Sequence, residues 1–228
     1  MPKTAAKPRS RQPGGSRETL LAAALELFLQ RGFAATRVED IAQRAGVGKG
    51  SVYLHFRTKE ELFQAVIDEG VVARIELAEA FAGDFSGSAT ELLTTLLHNN
   101  LVEFWGSPSS GIYKLIIAES QQFPDLAAVY YRDVTLRARK LFADILQLGI
   151  AQGEYQNMDV PYIARIIVGA LDNELMLAHS LGTCGDEEFD AHRYIEGLLA
   201  FIAHGLGGSG LPDPAINSAG SGGRGKTS

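Results

Sequence analysis

An all-α fold is predicted by three features of the sequence. Apolar residues recur with helical period from about residue 17 to residue 206. No stretch alternates as a half-buried strand does. Gly83, Gly87, Gly106, Pro108, Pro124, Gly153, Pro161 and Gly185 fall between the periodic runs, where helix breakers belong. About nine helices follow, divided between a small N-terminal three-helix unit and a larger helical unit.

The first helix covers about 17–31, with Leu20, Leu21, Ala24, Leu25, Leu27 and Phe28 on one face, and Gly32 stops it. Thr36 followed by Glu39 is a capping-box pattern that opens a short helix with Val38, Ile41, Ala42 and Ala45 as its apolar side. Gly46 ends that helix and Val47 plugs the turn. A second short helix covers about 49–56, with Val52 and Phe56 inward. Thr58 and Glu61 repeat the capping-box pattern and open a long helix to about residue 82. Further helices are expected near 88–105, 109–121, 124–151, 160–181 and 187–205. Residues 1–16 lack periodicity and 207–228 are rich in Gly and Ser, so both read as disordered tails.

A hydrophobic fraction of 46% allows a real core. Cys184 is the single cysteine, which excludes an internal disulfide framework and fits a reducing compartment. Neither a secretory signal nor a membrane-length apolar run is visible, so a cytoplasmic, nucleoid-associated protein is expected. Net charge is −6, but it is unevenly spread. Residues 1–60 hold eleven Lys and Arg against five Asp and Glu; the remainder holds ten against twenty-two. A basic head on an acidic body suits a chain that presents one end to phosphate.

Residues 33–63 carry the chemistry. Two short amphipathic helices joined by a tight turn at Gly46 describe a helix-turn-helix. The second of them has few apolar residues and leaves Lys49, Gly50, Ser51, Tyr53 and His55 free to face outward. Small residues at its start allow close approach to base edges, and a lysine reaches guanine acceptors. Tyr53, His55 and Lys59 can donate to phosphates. The helix start at Thr36 offers free N–H groups and a hydroxyl to a phosphate, with Arg37 beside it. The glycines at 46, 48 and 50 do not make a nucleotide loop, because no strand precedes them and the GxxxxGK[ST] spacing is absent.

This segment resembles the tetracycline-repressor (TetR) family. The resemblance rests on Gly32-Phe33, Thr36, Val38, Asp40-Ile41-Ala42, Ala45-Gly46-Val47, Lys49-Gly50, Val52-Tyr53, His55-Phe56 and Thr58-Lys59-Glu60 with Leu62. It implies base contacts from Lys49, Gly50 and Ser51, and phosphate contacts from Thr36, Tyr53, His55 and Lys59. Gly48 stands where the family usually has Ser, and Arg37 where a second Thr is common. The resemblance divides the chain into a DNA-binding domain over 17–63 and a ligand-binding and dimerisation domain over 64–206. It also implies a homodimer on a near-palindromic DNA operator, released by a small-molecule effector.

In the larger domain, pocket walls are expected from Phe104, Trp105, Tyr113, Ile117, Tyr130 and Phe142, with polar points at His98, Asn99, Gln121 and Asn173. Asp172, Asn173 and Glu174 interrupt an apolar helix and fit either a cavity lining or a subunit contact. Leu175, His179, Ile195, Leu198, Leu199 and Ile202 form the stripe expected to dimerise. No nucleophile–base arrangement, HExxH, CxxC or Rossmann fingerprint is present, and the histidines lack metal-ligand spacing. The sequence therefore calls for no cofactor, no metal, no membrane partner and no enzymatic role. A ligand-independent or partner-controlled DNA binder of the same fold is the alternative, and a closed, dry core in the larger domain would favour it. The basic residues Lys3, Lys7, Arg9 and Arg11 fit a minor-groove arm or a solubilising tail.

Overall fold

A computed structural model describes residues 17–182, 184 and 189–206, except for the side chains of 99 and 100. The expected tails, Asn99 as a polar point, and the start of the helix expected from 187 lie outside the described residues. The described chain is helical, in nine continuous runs. Three short helices come first: α1 (Arg17–Arg31), α2 (Val38–Arg44) and α3 (Lys49–His55). A long rod follows, α4 (Lys59–Ile67) and α5 (Ala73–Asp84), joined through a π-helical turn at Asp68–Val72. The next rod is α6 (Ala89–Thr95), a π turn at Leu96–Leu101, and α7 (Val102–Trp105). A 3₁₀ turn at Pro108–Gly111 leads into α8 (Ile112–Glu119). α9 (Pro124–Tyr130), a π turn at Tyr131–Thr135 and α10 (Leu136–Gln152) form the third rod. α11 (Val160–Ser180) and α12 (Ala191–Leu206) complete the fold.

Local chemistry accounts for the ends. Gly32 adopts the left-handed conformation at φ +82°, and its N–H donates to the Phe28 carbonyl, closing α1. The Thr58 hydroxyl accepts from the Glu61 amide at 3.0 Å, as expected. The Glu61 carboxylate, however, accepts from the Arg57 amide, one residue earlier than a capping box requires. Ser88 and Glu91 do form a complete reciprocal box at the start of α6.

The first expectation to fail is the capping box at Thr36. α2 begins at Val38, and no side chain caps it. The Thr36 hydroxyl points inward, 1% of the residue being exposed, and donates to the Gly32 carbonyl at 2.7 Å and the Leu27 carbonyl at 3.2 Å. Gly32 lies just past the end of α1, so its carbonyl has no helical partner, and it captures the hydroxyl first.

Two cores hold the molecule. One joins α1–α4 to α8 and α9, around Phe28, Phe33 and Phe63, whose ring centroids lie 4.9–5.4 Å apart. The other joins α6, α10, α11 and α12. The N-terminal helices thus share a continuous core with α8 and α9. Gly70, in the first π turn, makes that packing possible: a Cβ there would lie 2.8 Å from the Ser109 hydroxyl of the 3₁₀ turn. α5 and α10 are tied by Arg137, whose guanidinium donates to both Glu79 oxygens, from Nε at 3.0 Å and from Nη2 at 2.5 Å.

Candidate functional site

α3 is held by its inner face alone. Val52 and Phe56 are buried in the first core, and the α2–α3 turn is closed by the Val47 amide donating to the Ala42 carbonyl. Gly46 at φ +70° makes that turn sterically cheap. The outer face carries Lys49, Gly50, Tyr53 and His55, all exposed, with Ser51 half-buried beside them. No atom lies within 4 Å of where a Cβ on Gly48 or Gly50 would be, so the backbone itself is open to a close partner. Arg37 is exposed ahead of α2. Lys49 pairs with Glu39 of α2, and its ammonium lies 5.6 Å from the Tyr53 ring centroid. The hydrogen bond from Lys49 holds the Glu39 carboxyl below its usual range, and Glu39 in turn raises Lys49.

The inward reading of α3 missed Leu54, which is 85% exposed. An apolar side chain on a polar, unpacked helix face is unusual, and it matches the one apolar feature of the major groove, the thymine methyl.

Two residues expected at phosphates are engaged inside the fold instead. Thr36 is one, as described. Lys59 is the other: its ammonium donates to the carbonyls of Phe33 at 2.7 Å, Thr36 at 3.0 Å and Ala34 at 3.3 Å. It also sits 4.3 Å from the Phe33 ring centroid, and burial pushes its pKa down. These carbonyls lie in the α1–α2 loop, which has no helix to satisfy them, so the ammonium serves as their donor. The amides of the same loop are held from the other side. Glu119, at the end of α8, accepts from Phe33 N–H at 2.8 Å and Ala34 N–H at 3.3 Å. Phe123 packs edge-on against Phe33, with centroids 4.8 Å apart. The loop that leads into α2 is thus gripped by the α8–α9 corner.

Between the long rods lies a cavity of about 130 Å³. Its wall is apolar, with Leu96, Phe104, Val134, Phe142 and Leu171 among the contributors, and with Arg74, Tyr130 and Asp172 as its polar-bearing members. All three π turns reach it, through Val71, through Leu96 and Leu101, and through Val134. π turns recur at functional positions because they re-aim side chains within a helix. Burial raises the Asp172 carboxyl to about 6, against partial relief from Arg139. Burial likewise pushes the Tyr130 phenol up.

Comparison with known proteins places this architecture. The description "Bacterial regulatory proteins, tetR family" matches residues 20–66, and "AefR-like transcriptional repressor, C-terminal domain" matches residues 91–196. The HTH-type transcriptional repressor KstR2 of Mycolicibacterium smegmatis is 31% identical over 159 residues, spanning 68% of this chain and 76% of that protein. The chain belongs to the TetR family. A transcriptional regulator FadR from Bacillus subtilis, solved in complex with stearoyl-CoA, shares the fold at TM-score 0.66 and 21% identity, covering 84% of this chain and 100% of that one. A regulator from Saccharomonospora viridis, in complex with choline, does so at TM-score 0.68 and 20% identity, covering 83% and 96%.

As a TetR-family protein, the chain is a DNA-binding transcriptional regulator with a helix-turn-helix and a helical C-terminal domain. In this TetR-family fold the expected pocket residues separate. Phe104, Tyr130 and Phe142 line the cavity. Tyr113 packs behind it, its ring 6.2 Å from Tyr130. Trp105 lies elsewhere, stacked edge-on with Phe189 and Tyr194, and its buried indole N–H has no partner among the described residues. His98 stacks on His192 of α12. Ile117 and Gln121 lie at the surface, and Asn173 turns outward while Asp172 beside it lines the cavity.

The expected dimerisation stripe needs correction. Leu175, Ile195 and Ile202 are buried within the chain, Leu198 and Leu199 are half-buried against the same core, and Leu175 lines the cavity. The His179 ring meets the Ser110 hydroxyl at 2.8 Å. Helical period finds an apolar stripe but not which side of the helix has a partner. On α11 and α12, the exposed large apolar side chains among the described residues are Tyr162, 66% exposed, Ile166 and Leu177, and Phe201, 73% exposed. Among the described residues no helix is long and apolar enough to cross a membrane, and no acidic, His and Cys cluster has metal-binding geometry.

Proposed function

We propose that this regulator is a cytoplasmic, homodimeric repressor that leaves its operator when a small apolar effector enters the cavity. The observation that carries the reading is α3: a helix anchored through Val52 and Phe56 whose remaining side chains face outward. Lys49, Gly50 and Ser51 read bases, Leu54 meets a thymine methyl, and Arg37, Tyr53 and His55 set register on phosphates. Lys49 exchanges its pairing with Glu39 for a base or phosphate oxygen on binding. Thr36 and Lys59 hold the loop that positions these groups.

One seven-residue helix reads too few base pairs for a unique site, so two copies act together. A two-fold pair with recognition helices roughly 34 Å apart fits a near-palindromic operator. The exposed face of Tyr162, Ile166, Leu177 and Phe201 supplies the contact between copies. The functional units are 17–63 for DNA and 64–206 for ligand and partner.

The cavity favours an effector-controlled protein over a ligand-independent one. Tyr130 lines it, and Tyr130 closes α9, whose first turn adjoins Phe123. A ligand that displaces Tyr130 moves the α8–α9 corner, and with it the grip of Glu119 and Phe123 on the α1–α2 loop. The shift of population is bounded by the ligand's differential affinity for the two forms. Footprinting on the DNA upstream of its own gene tests the reading. Wild type should protect a two-fold symmetric site, Tyr53→Ala should weaken it, and Leu54→Ala should relax preference at thymine positions. Unchanged protection in both variants would refute the contact face.

A further inference from the structure

Asp172 is an expensive residue where it sits. It belongs to α11 between Val168, Leu171 and Leu175, all of which line the cavity with it. Its carboxyl accepts no hydrogen bond and forms no ion pair with any described residue, although the residue is part-buried in the cavity wall. The groups that face it are the phenols of Tyr130 from α9 and Tyr113 from α8, and the guanidinium of Arg139 from α10. Arg139 is near enough to be felt but beyond ion-pair distance; its Nη1 donates to the Tyr131 hydroxyl at 3.3 Å. Arg74, the other charged lining residue, places its guanidinium 5.6 Å from the Phe104 ring centroid. An apolar wall with one unpartnered carboxyl is costly as pure structure, because a buried charge destabilises unless something pairs with it.

We propose that the cavity takes an apolar molecule bearing a protonated amine, with the Asp172 carboxylate as its counter-ion and the rings of Phe104 and Tyr130 as its aromatic wall. This rests on reading the cavity as the effector site. An ammonium supplies the hydrogen-bond donor Asp172 lacks and brings an opposite charge closer than the guanidinium of Arg139. The Tyr130 ring adds attraction for the same cation, whereas the Phe104 ring already carries the Arg74 guanidinium and supplies apolar wall. A fatty acid of the same length would set carboxylate against carboxylate, with Arg74 and Arg139 in partial compensation. An alcohol would donate one hydrogen bond and leave the charge unneutralised. A cavity of about 130 Å³ suits a compact molecule.

Calorimetric titration of the full-length chain at pH 8 with hexylamine, hexanol and hexanoate tests this. Hexylamine should bind about tenfold or more tighter than either of the others. Asp172→Asn should remove that preference while leaving hexanol within about twofold, and Asp172→Glu should retain part of it. Ala138→Leu, which fills the cavity, should weaken hexylamine and hexanol together. Circular dichroism confirms that each variant is folded. Hexanoate binding tightest, or hexylamine unaffected by Asp172→Asn, overturns the amine assignment and leaves the effector cavity standing if Ala138→Leu still blocks hexanol. Failure of all three probes to bind wild type removes the effector cavity itself and the amine assignment with it.

Discussion

Replacing Glu119 by alanine removes the polar part of the contact between the α8–α9 corner and the DNA-binding helices and leaves the shared core and the Phe33–Phe123 contact in place. Two amide hydrogen bonds end on its Oε1, a good one from Phe33 at 2.8 Å and a long, exposed one from Ala34 at 3.3 Å. Hydrogen bonds to a charged acceptor contribute about 1.5–3 kcal/mol each when well formed, and the second falls well short of that. A total near 2 kcal/mol follows for the alanine variant, and roughly half of it for Glu119→Gln, which keeps a neutral acceptor. On the proposed mechanism the ligand-free chain is the DNA-binding form, so a loop held about 2 kcal/mol less firmly in place should cost up to about thirtyfold in operator affinity. The assay is operator titration by fluorescence anisotropy, paired with urea unfolding of the same samples. The loss in binding should exceed what a uniform loss of stability explains, because a chain several kcal/mol stable remains folded after the substitution. Stability reduced by about 2 kcal/mol with operator affinity unchanged would refute the coupling role and leave Glu119 as an ordinary tertiary contact.

Other consequences follow from the same structure. Lys59→Met should lower stability by about 1–3 kcal/mol, since the carbonyls of Ala34 and Thr36 lose their donor and that of Phe33 keeps only the Thr36 N–H at 3.3 Å. Its operator binding should keep the wild-type salt dependence, whereas a lost phosphate contact would reduce the slope by about one. Burial lifts the Asp172 carboxyl from 3.8 to about 6, so the folded chain retains a proton that the unfolded chain releases. Between those values stability falls as pH rises; the penalty is absent below about pH 4 and complete above about pH 6. Asp172→Asn should therefore stabilise the ligand-free protein at pH 8 by up to roughly 3 kcal/mol and change little at pH 4, as read by urea unfolding at both. In the proposed homodimer, Phe201→Glu should give monomer in sedimentation velocity and weaken operator binding; a dimer that persists would move the subunit contact off the exposed face of α12.

The helix-turn-helix was legible because its determinants are local. Gly32 and Gly46 need left-handed backbone, Val52 and Phe56 mark the inward face of α3, and no distant residue alters either fact. What misled was competition that a short pattern cannot register. Thr36 and Glu39 have capping-box spacing, but the carbonyls of Leu27 and Gly32 lie closer to the hydroxyl. Lys59 looks like a solvent-facing lysine until the loop carbonyls of Phe33, Ala34 and Thr36 are folded over it. Glu119 carries no local signal at all, since its partners are more than eighty residues away.

The cavity was less legible for a reason that can be located in the backbone. Regular helices put neighbours at spacings of three and four, and pattern reading searches for those. Leu96 and Leu101 line the same cavity five residues apart, the step of a π turn, and Val71 and Val134 reach it from two other π turns. Each such turn shifts the helix face that follows it relative to the face before it. Ala138, which follows the third π turn, therefore arrives at the cavity on a position that an uninterrupted helix would have aimed elsewhere. Asp172 could be noticed as a polar interruption of an apolar helix, but Asn173 beside it looked equivalent. They differ in burial alone: one turns to the cavity, the other to the surface. Three departures from regular helix converge on one space, and the unpaired carboxyl in its wall lowers stability rather than adding to it. They are accounted for together if that space is kept for a guest.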